Sequence, residues 1–167
     1  RSSDLLIAQQ APLRVLPFER LAGASTLLEA TLHMTPAMGE EPVRSTSHTT
    51  IDFEKALRVG YSGIRQQIQQ RLARADLDGA GVEYLECMLI CVEAAGIWHN
   101  RYVTKLAHCA GQADGMERQR YQEVLSVIER VPERPPRTFY EAVQALWELW
   151  EFQRLCGNWS GLGRLDK

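Results

Sequence analysis

The chain lacks any apolar run near the about 20 residues a helix needs to cross a bilayer. No membrane-spanning segment is therefore expected. It also lacks a surplus of positive charge. Nineteen Lys plus Arg stand against 21 Asp plus Glu, a net charge of −2, so no basic field draws nucleic acid. The first residues, RSSDLLIAQQAPLRV, have no signal-peptide core. A chain that begins at Arg rather than Met reads as cut or processed, and a cytoplasmic location is expected.

Metal and redox signals are sparse as well. Cys87, Cys91, Cys109 and Cys156 form no CxxC pair and no zinc spacing. Cys87 and Cys91 are four apart on one helix face, and both are expected to be small core residues in a reducing compartment. His99 and His108 are nine apart and fall on different faces of a helix. No Glu-x-x-His occurs, which argues against a di-metal bundle. No bound cofactor and no metal site is expected. The glycines near the C-terminus follow a helix and carry no Lys-Ser/Thr, so they are not a phosphate loop.

What the sequence does have is helical periodicity in a length suited to one domain. Residues 1–50 are irregular, with Pro12, Pro17, Pro36 and Pro42 between short apolar runs and short helices expected around 3–10 and 18–32. GEEPVRSTSHTT reads as a polar loop leading to a helix start, and it places His48 in that loop. A loop histidine can reach a substrate and titrates near neutral pH.

Residues 51–156 hold four longer helices. TIDFEKALRVGYSGIRQQIQQRLARAD carries Ile51, Phe53, Leu57, Ile64, Ile68 and Leu72 near helical spacing, with Thr50 or Asp52 as its cap. An apolar stripe from Tyr84 through Met88, Trp98 and Tyr102 to Leu106 predicts one rod of nearly 30 residues. Asp114 is expected to cap the third helix. Thr138 with Glu141 forms a capping box for the fourth. Trp147 and Trp150 read as core and edge aromatics. Only residues 157–167 suggest a strand, in WSGLGRLD.

The stretch VPERPPRTFYEAVQALWELWEFQRLCGNWSGLGRLDK resembles the glycyl-radical enzymes of the pyruvate formate-lyase type. The match includes Val131, Pro132, Pro135, Thr138, Phe139, Glu141, Ala142, Gln144, Trp147, Gly163, Arg164 and Asp166. SHTTIDFEKALRVGYSGIRQQI is similar to a second family segment, with Ser47 where Gly is usual, and Arg101–Tyr102 fits a third. The resemblance covers residues 45–167 well and 1–44 weakly.

The resemblance implies a mostly α fold, the helical N-terminal part of a partial domain whose remainder is a ten-stranded α/β barrel. Residues 157–167 would start its first strand. It implies an anaerobic, cytoplasmic, homodimeric lyase, dehydratase or formate C-acetyltransferase-like enzyme acting on a small organic substrate by hydrogen abstraction. A radical-SAM activating enzyme would install the glycyl radical. By the same resemblance His48 and Ser160 are substrate-binding. Gly163, Arg164 and Asp166 are structural, the glycine permitting close packing and the ion pair bracing the wall.

The chain carries no catalytic residue of its own. The thiyl-cysteine loop is missing, and Arg58–Val59–Gly60–Tyr61 is not the radical-glycine motif, because it lacks an intervening residue and lies in a helical pattern. A fragment that cannot turn over alone is expected, with an uncovered apolar surface where the barrel would sit. A stand-alone helical interaction or structural domain without catalysis is the alternative reading.

Overall fold

The computed structural model describes residues 2–26, 47–157 and 159–163. Helix α1 (Ser2–Gln10) is followed by strand β1 (Ser47–Thr50) and four long helices: α2 (Phe53–Leu72), α3 (Gly79–Gln112), α4 (Gly115–Ile128) and α5 (Phe139–Leu155). Strand β2 (Trp159–Gly161) comes last. The mostly helical expectation holds. Of the helix expected around 18–32, residues 17–25 form turns, and 27–32 lie outside the described residues.

Three of the long helices start on a side-chain cap. Asp52 caps α2 by accepting the Lys55 N–H at 3.1 Å. Asp78, inside the LDGAG stretch that stops α2, caps α3 through the Gly81 N–H at 2.8 Å. Thr138 caps α5 by accepting the Glu141 N–H at 3.1 Å. The return bond of the box goes one residue upstream of its usual place. Glu141 Oε2 accepts the Arg137 N–H at 2.6 Å, and its Oε1 accepts the Arg137 guanidinium at 2.8 Å. Asp114 precedes α4 without a side-chain capping bond.

Helix α2 is kinked at Gly60 (φ 65°, ψ 178°). The Tyr61 and Ser62 N–H groups donate to the Pro132 and Glu133 carbonyls at 2.9 and 3.0 Å. A Cβ on Gly60 would lie 2.6 Å from the Glu133 carbonyl oxygen. Only glycine tolerates this backbone and this approach. Gly60 is thus a packing hinge.

Helix α3 is the spine. Ala94, Ala95, Trp98, Tyr102, Leu106 and Ala110 are buried at i, i+3, i+4 spacing, against Ile7 and Ala8 of α1, Tyr121, Val124 and Ile128 of α4, and Phe152 and Leu155 of α5. Trp98 meets Tyr102 edge to face with ring centroids 5.3 Å apart. Arg101 donates to the Ala8 and Ala11 carbonyls at 2.8 and 2.6 Å and lies over the Trp98 ring. It caps the free carbonyls at the end of α1.

The apolar stripe is buried only in its second half. No residue from 79 to 93 is buried, and Tyr84 is 65% exposed. A 34-residue helix runs about 50 Å, longer than the 9-, 14- and 17-residue helices packed on it. Cys91 is exposed and Cys87 half-buried for the same reason, so the expectation that both are core residues does not hold.

Strands β1 and β2 pair in parallel, with Ser47 opposite Trp159 and Thr50 opposite Gly161. All four long helices form the crossover between them, as parallel pairing requires a long connection. His48 therefore sits in a strand, not in the loop expected. Partnering by β2, which lies far along the chain, cannot be seen in local composition.

Candidate functional site at the paired strands

The paired strands bring the two sequence-predicted substrate residues together. His48 in β1 and Ser160 in β2 both fall within the stretch bounded by Ser47–Trp159 and Thr50–Gly161. Sequence separation gave no such proximity. Gly163, just past β2, has φ 63°, and a Cβ there would meet Thr50 Cγ2 at 2.5 Å. The glycine lets the chain leaving β2 press against the end of β1. Arg164 and Asp166 lie outside the described residues.

Beside the strands is an open hollow of about 690 Å³. Its walls come from the start of α2 (Phe53, Leu57), the start of α5 (Phe139, Ala142, Leu146) and Leu162. Phe139 is 86% exposed and Leu162 40% exposed. The acidic side chains Asp52 and Glu54 lie at its α2 edge. Among the described residues no group of three or more His, Cys, Asp or Glu could hold a metal.

The start of α5 is set by Glu141. The Arg137 hydrogen bond holds its carboxyl below the ordinary carboxylate range, against a smaller opposing effect of desolvation. Arg130 lies 3.6 Å away and also donates to the Pro135 carbonyl. One carboxylate thereby organises the loop that precedes α5.

A second polar group was not foreseen from the sequence. Gln144, Glu148 and Glu151 occupy the buried face of α5 with Ala145, Phe152 and Leu155. His99 Nδ1 lies 2.8 Å from Glu148 Oε1, and the Tyr102 hydroxyl donates to Glu151 Oε1 at 2.8 Å. Gln144 accepts the Ala22 N–H at 2.8 Å and donates to the Ala22 carbonyl at 3.2 Å. The readable signal was polar residues at i, i+4, i+7 on an otherwise apolar stripe.

A pyruvate formate lyase-like family model matches residues 28–167. The chain belongs to this family of glycyl-radical enzymes. It is 32% identical over 133 residues to an isethionate sulfite-lyase of Oleidesulfovibrio alaskensis, covering 74% of this chain and 16% of that enzyme. The fold is shared with a glycyl radical enzyme of Archaeoglobus fulgidus (TM-score 0.76, 16% identity, 98% of this chain and 30% of that one). It is also shared with the glycerol-bound B12-independent glycerol dehydratase of Clostridium butyricum (TM-score 0.74, 18% identity, 91% and 28%). The chain thus spans about one sixth of the curated relative's length.

Family membership gives the motif residues physical roles. Thr138 caps α5. Glu141 ties down the preceding loop. Gln144 pins Ala22, and Gly163 packs on Thr50. Phe139 and Ala142 line the hollow. The Arg101–Tyr102 pair fastens α1 with one member and α5 with the other.

Proposed function

We propose that this chain is the N-terminal helical jacket and first strands of a glycyl-radical lyase or dehydratase. In this reading β1 and β2 belong to a ten-stranded α/β barrel, and the rest of that barrel closes over the hollow beside them. The observation that carries the reading is the parallel pairing of β1 with β2, which sets His48 and Ser160 on neighbouring strands. The hollow supports it, because an apolar wall with Phe139 at its lip is what a missing barrel layer would leave.

The chain's own part in catalysis is binding and enclosure. His48 holds a hydroxyl of a small organic substrate and Ser160 forms part of the same pocket wall. Glycerol, named for one structural neighbour, is a polyol, and isethionate, named for the relative, carries a hydroxyl. An imidazole can donate to or accept from such a group. The fragment lacks the radical machinery. Arg58–Val59–Gly60–Tyr61 lacks the intervening residue of a radical-glycine motif and lies within α2. The radical glycine and thiyl cysteine would be supplied by further polypeptide, with a radical-SAM activating enzyme as partner. The working enzyme would be a cytoplasmic homodimer functioning without oxygen.

The test begins with the gene beyond Lys167. Several hundred further codons with a cysteine loop and a C-terminal radical-glycine motif are expected. A stop codon there overturns the reading in favour of a non-catalytic helical domain. In the encoded enzyme, activated anaerobically, a glycyl-radical electron paramagnetic resonance signal is expected. His48→Ala should keep that signal and lose turnover by about 10²-fold or more, the scale of a lost positioning contact. Unchanged turnover would remove His48 from the site.

A further inference from the structure

Helix α5 sinks two carboxyls into the protein interior. Glu148 and Glu151 are both fully buried and three residues apart, so they share a helix face. Each has one oxygen engaged, with His99 and with the Tyr102 hydroxyl respectively. Among the described residues the other oxygen of each has no hydrogen-bond partner. Two ionised carboxylates against one protonated histidine would leave an uncompensated buried negative charge. Such a charge is strongly unfavourable, and buried carboxyls commonly avoid it by keeping a proton.

Glu151 is also the seat of a loop. A Cβ on Gly23 would lie 2.4 Å from Glu151 Oε2 and 2.8 Å from its Cδ, so Gly23 rests directly on the carboxyl. Gly23 adopts φ 97°, a left-handed backbone suited to glycine. Its neighbour Ala22 is gripped at both N–H and carbonyl by Gln144. The loop is closed by Thr26, whose Oγ1 accepts the Arg14 N–H at 2.9 Å and donates to the Arg14 carbonyl at 2.7 Å. Glu19 holds it from within, accepting the Leu16 N–H at 2.9 Å and the Ser25 N–H.

We propose that the Glu148–Glu151 pair retains one proton at neutral pH, resident on Glu151, and that this neutral acid latches the 14–26 loop onto α5 as a pH-sensitive fastening. The protonated carboxyl presents a neutral surface to Gly23. Ionisation would set a charge under Gly23 and next to Glu148.

The groups acting on the pair come from several packed elements. They are Glu19 of the loop, Tyr61 of α2, and Trp98, His99 and Tyr102 of α3; Glu133 of the connection before α5 acts on Tyr61 and His99, and Cys156 at the end of α5 acts on Tyr61. Glu133 is itself paired with Arg65 at 2.9 Å.

Burial pushes the Glu151 carboxyl well above its ordinary range. The Tyr102 hydroxyl opposes that rise, and Glu148 adds to it. Burial pulls His99 down, but the Glu148 carboxylate lifts it above its usual value on balance. Both groups bind their proton more tightly in the fold than in the unfolded chain. Their stabilisation is complete below the unfolded values, about 4.3 for Glu and 6.5 for His. It is lost as pH rises through the raised folded values. The latch therefore opens on the alkaline side.

The test uses the whole 167-residue chain. Infrared spectra at neutral pH should contain a carboxylic-acid C=O band that disappears on alkaline titration and is absent from Glu151→Gln. Amide exchange of residues 14–26 should accelerate about tenfold or more from mildly acid to alkaline pH in the wild type, while α4 amides stay protected. In Glu151→Gln, whose amide keeps a donor and an acceptor, that acceleration should vanish. No buried-acid band at neutral pH would overturn the proposal. A 14–26 exchange profile, corrected for intrinsic rates, that is flat with pH in the wild type would do the same. Both measurements on the wild type decide the matter even where the variant does not fold.

Discussion

The two ends of helix α5 differ sharply in company. Toward its C-terminus, Glu148, Glu151, Phe152 and Leu155 are buried against α3 and the 14–26 loop. At its N-terminus, Phe139 stands 86% exposed over a hollow. One sequence stretch thus carries a finished interior and an unfinished wall. Burial that is complete within the chain belongs to the jacket. Apolar surface that the described residues leave uncovered is where the proposed barrel would attach.

Mutations can break or sharpen this contrast. Trp98→Ala, in the finished interior, is expected to cost the most, about 3–5 kcal/mol of stability by denaturant unfolding, from lost transfer energy plus a cavity. A loss as small as that of a surface residue would mean the interior is loosely packed. Gly60→Ala comes next. Its positive φ and the collision with the Glu133 carbonyl predict a loss of about 1–3 kcal/mol, measured the same way.

Glu141→Gln should lower stability at neutral pH and flatten its decline in acid. The folded carboxyl is depressed by Arg137, so its stabilisation is present above the ordinary carboxylate value. It is lost as pH falls through the depressed value. Thermal unfolding across acid pH should show a shallower decline for the variant, and an unchanged slope would remove Arg137 as the cause. Phe139→Ser should change the stability of this chain least, within about 0.5 kcal/mol, because the side chain has little cover to lose. A loss near that of Trp98→Ala would show the hollow to be occupied.

Much of the helical architecture was legible because its causes are local. Asp52 and Thr138 cap where polar side chains precede apolar periodicity, although Asp114 makes no side-chain capping bond, and the Trp98–Tyr102–Leu106 stripe is buried as its spacing implies. Other features were not legible. His48 looked like a loop residue, because a strand made by a partner far along the chain leaves little mark in four residues. Cys87 and Cys91 looked like core, because spacing gives a face but not what covers it. Glu148 and Glu151 looked like ordinary helix residues, because charge on a stripe does not announce its partners.

The sequence by itself determined where helices start and stop and which faces are apolar, since caps, glycines and 3.6-residue periodicity act within a few residues. Its motifs also carried the family. Only the tertiary structure decided which apolar faces are covered, that β1 meets β2, and that two glutamates lie buried beside His99 and Tyr102. Those are encounters between distant segments, fixed by packing and by the cost of burying charge rather than by any local preference.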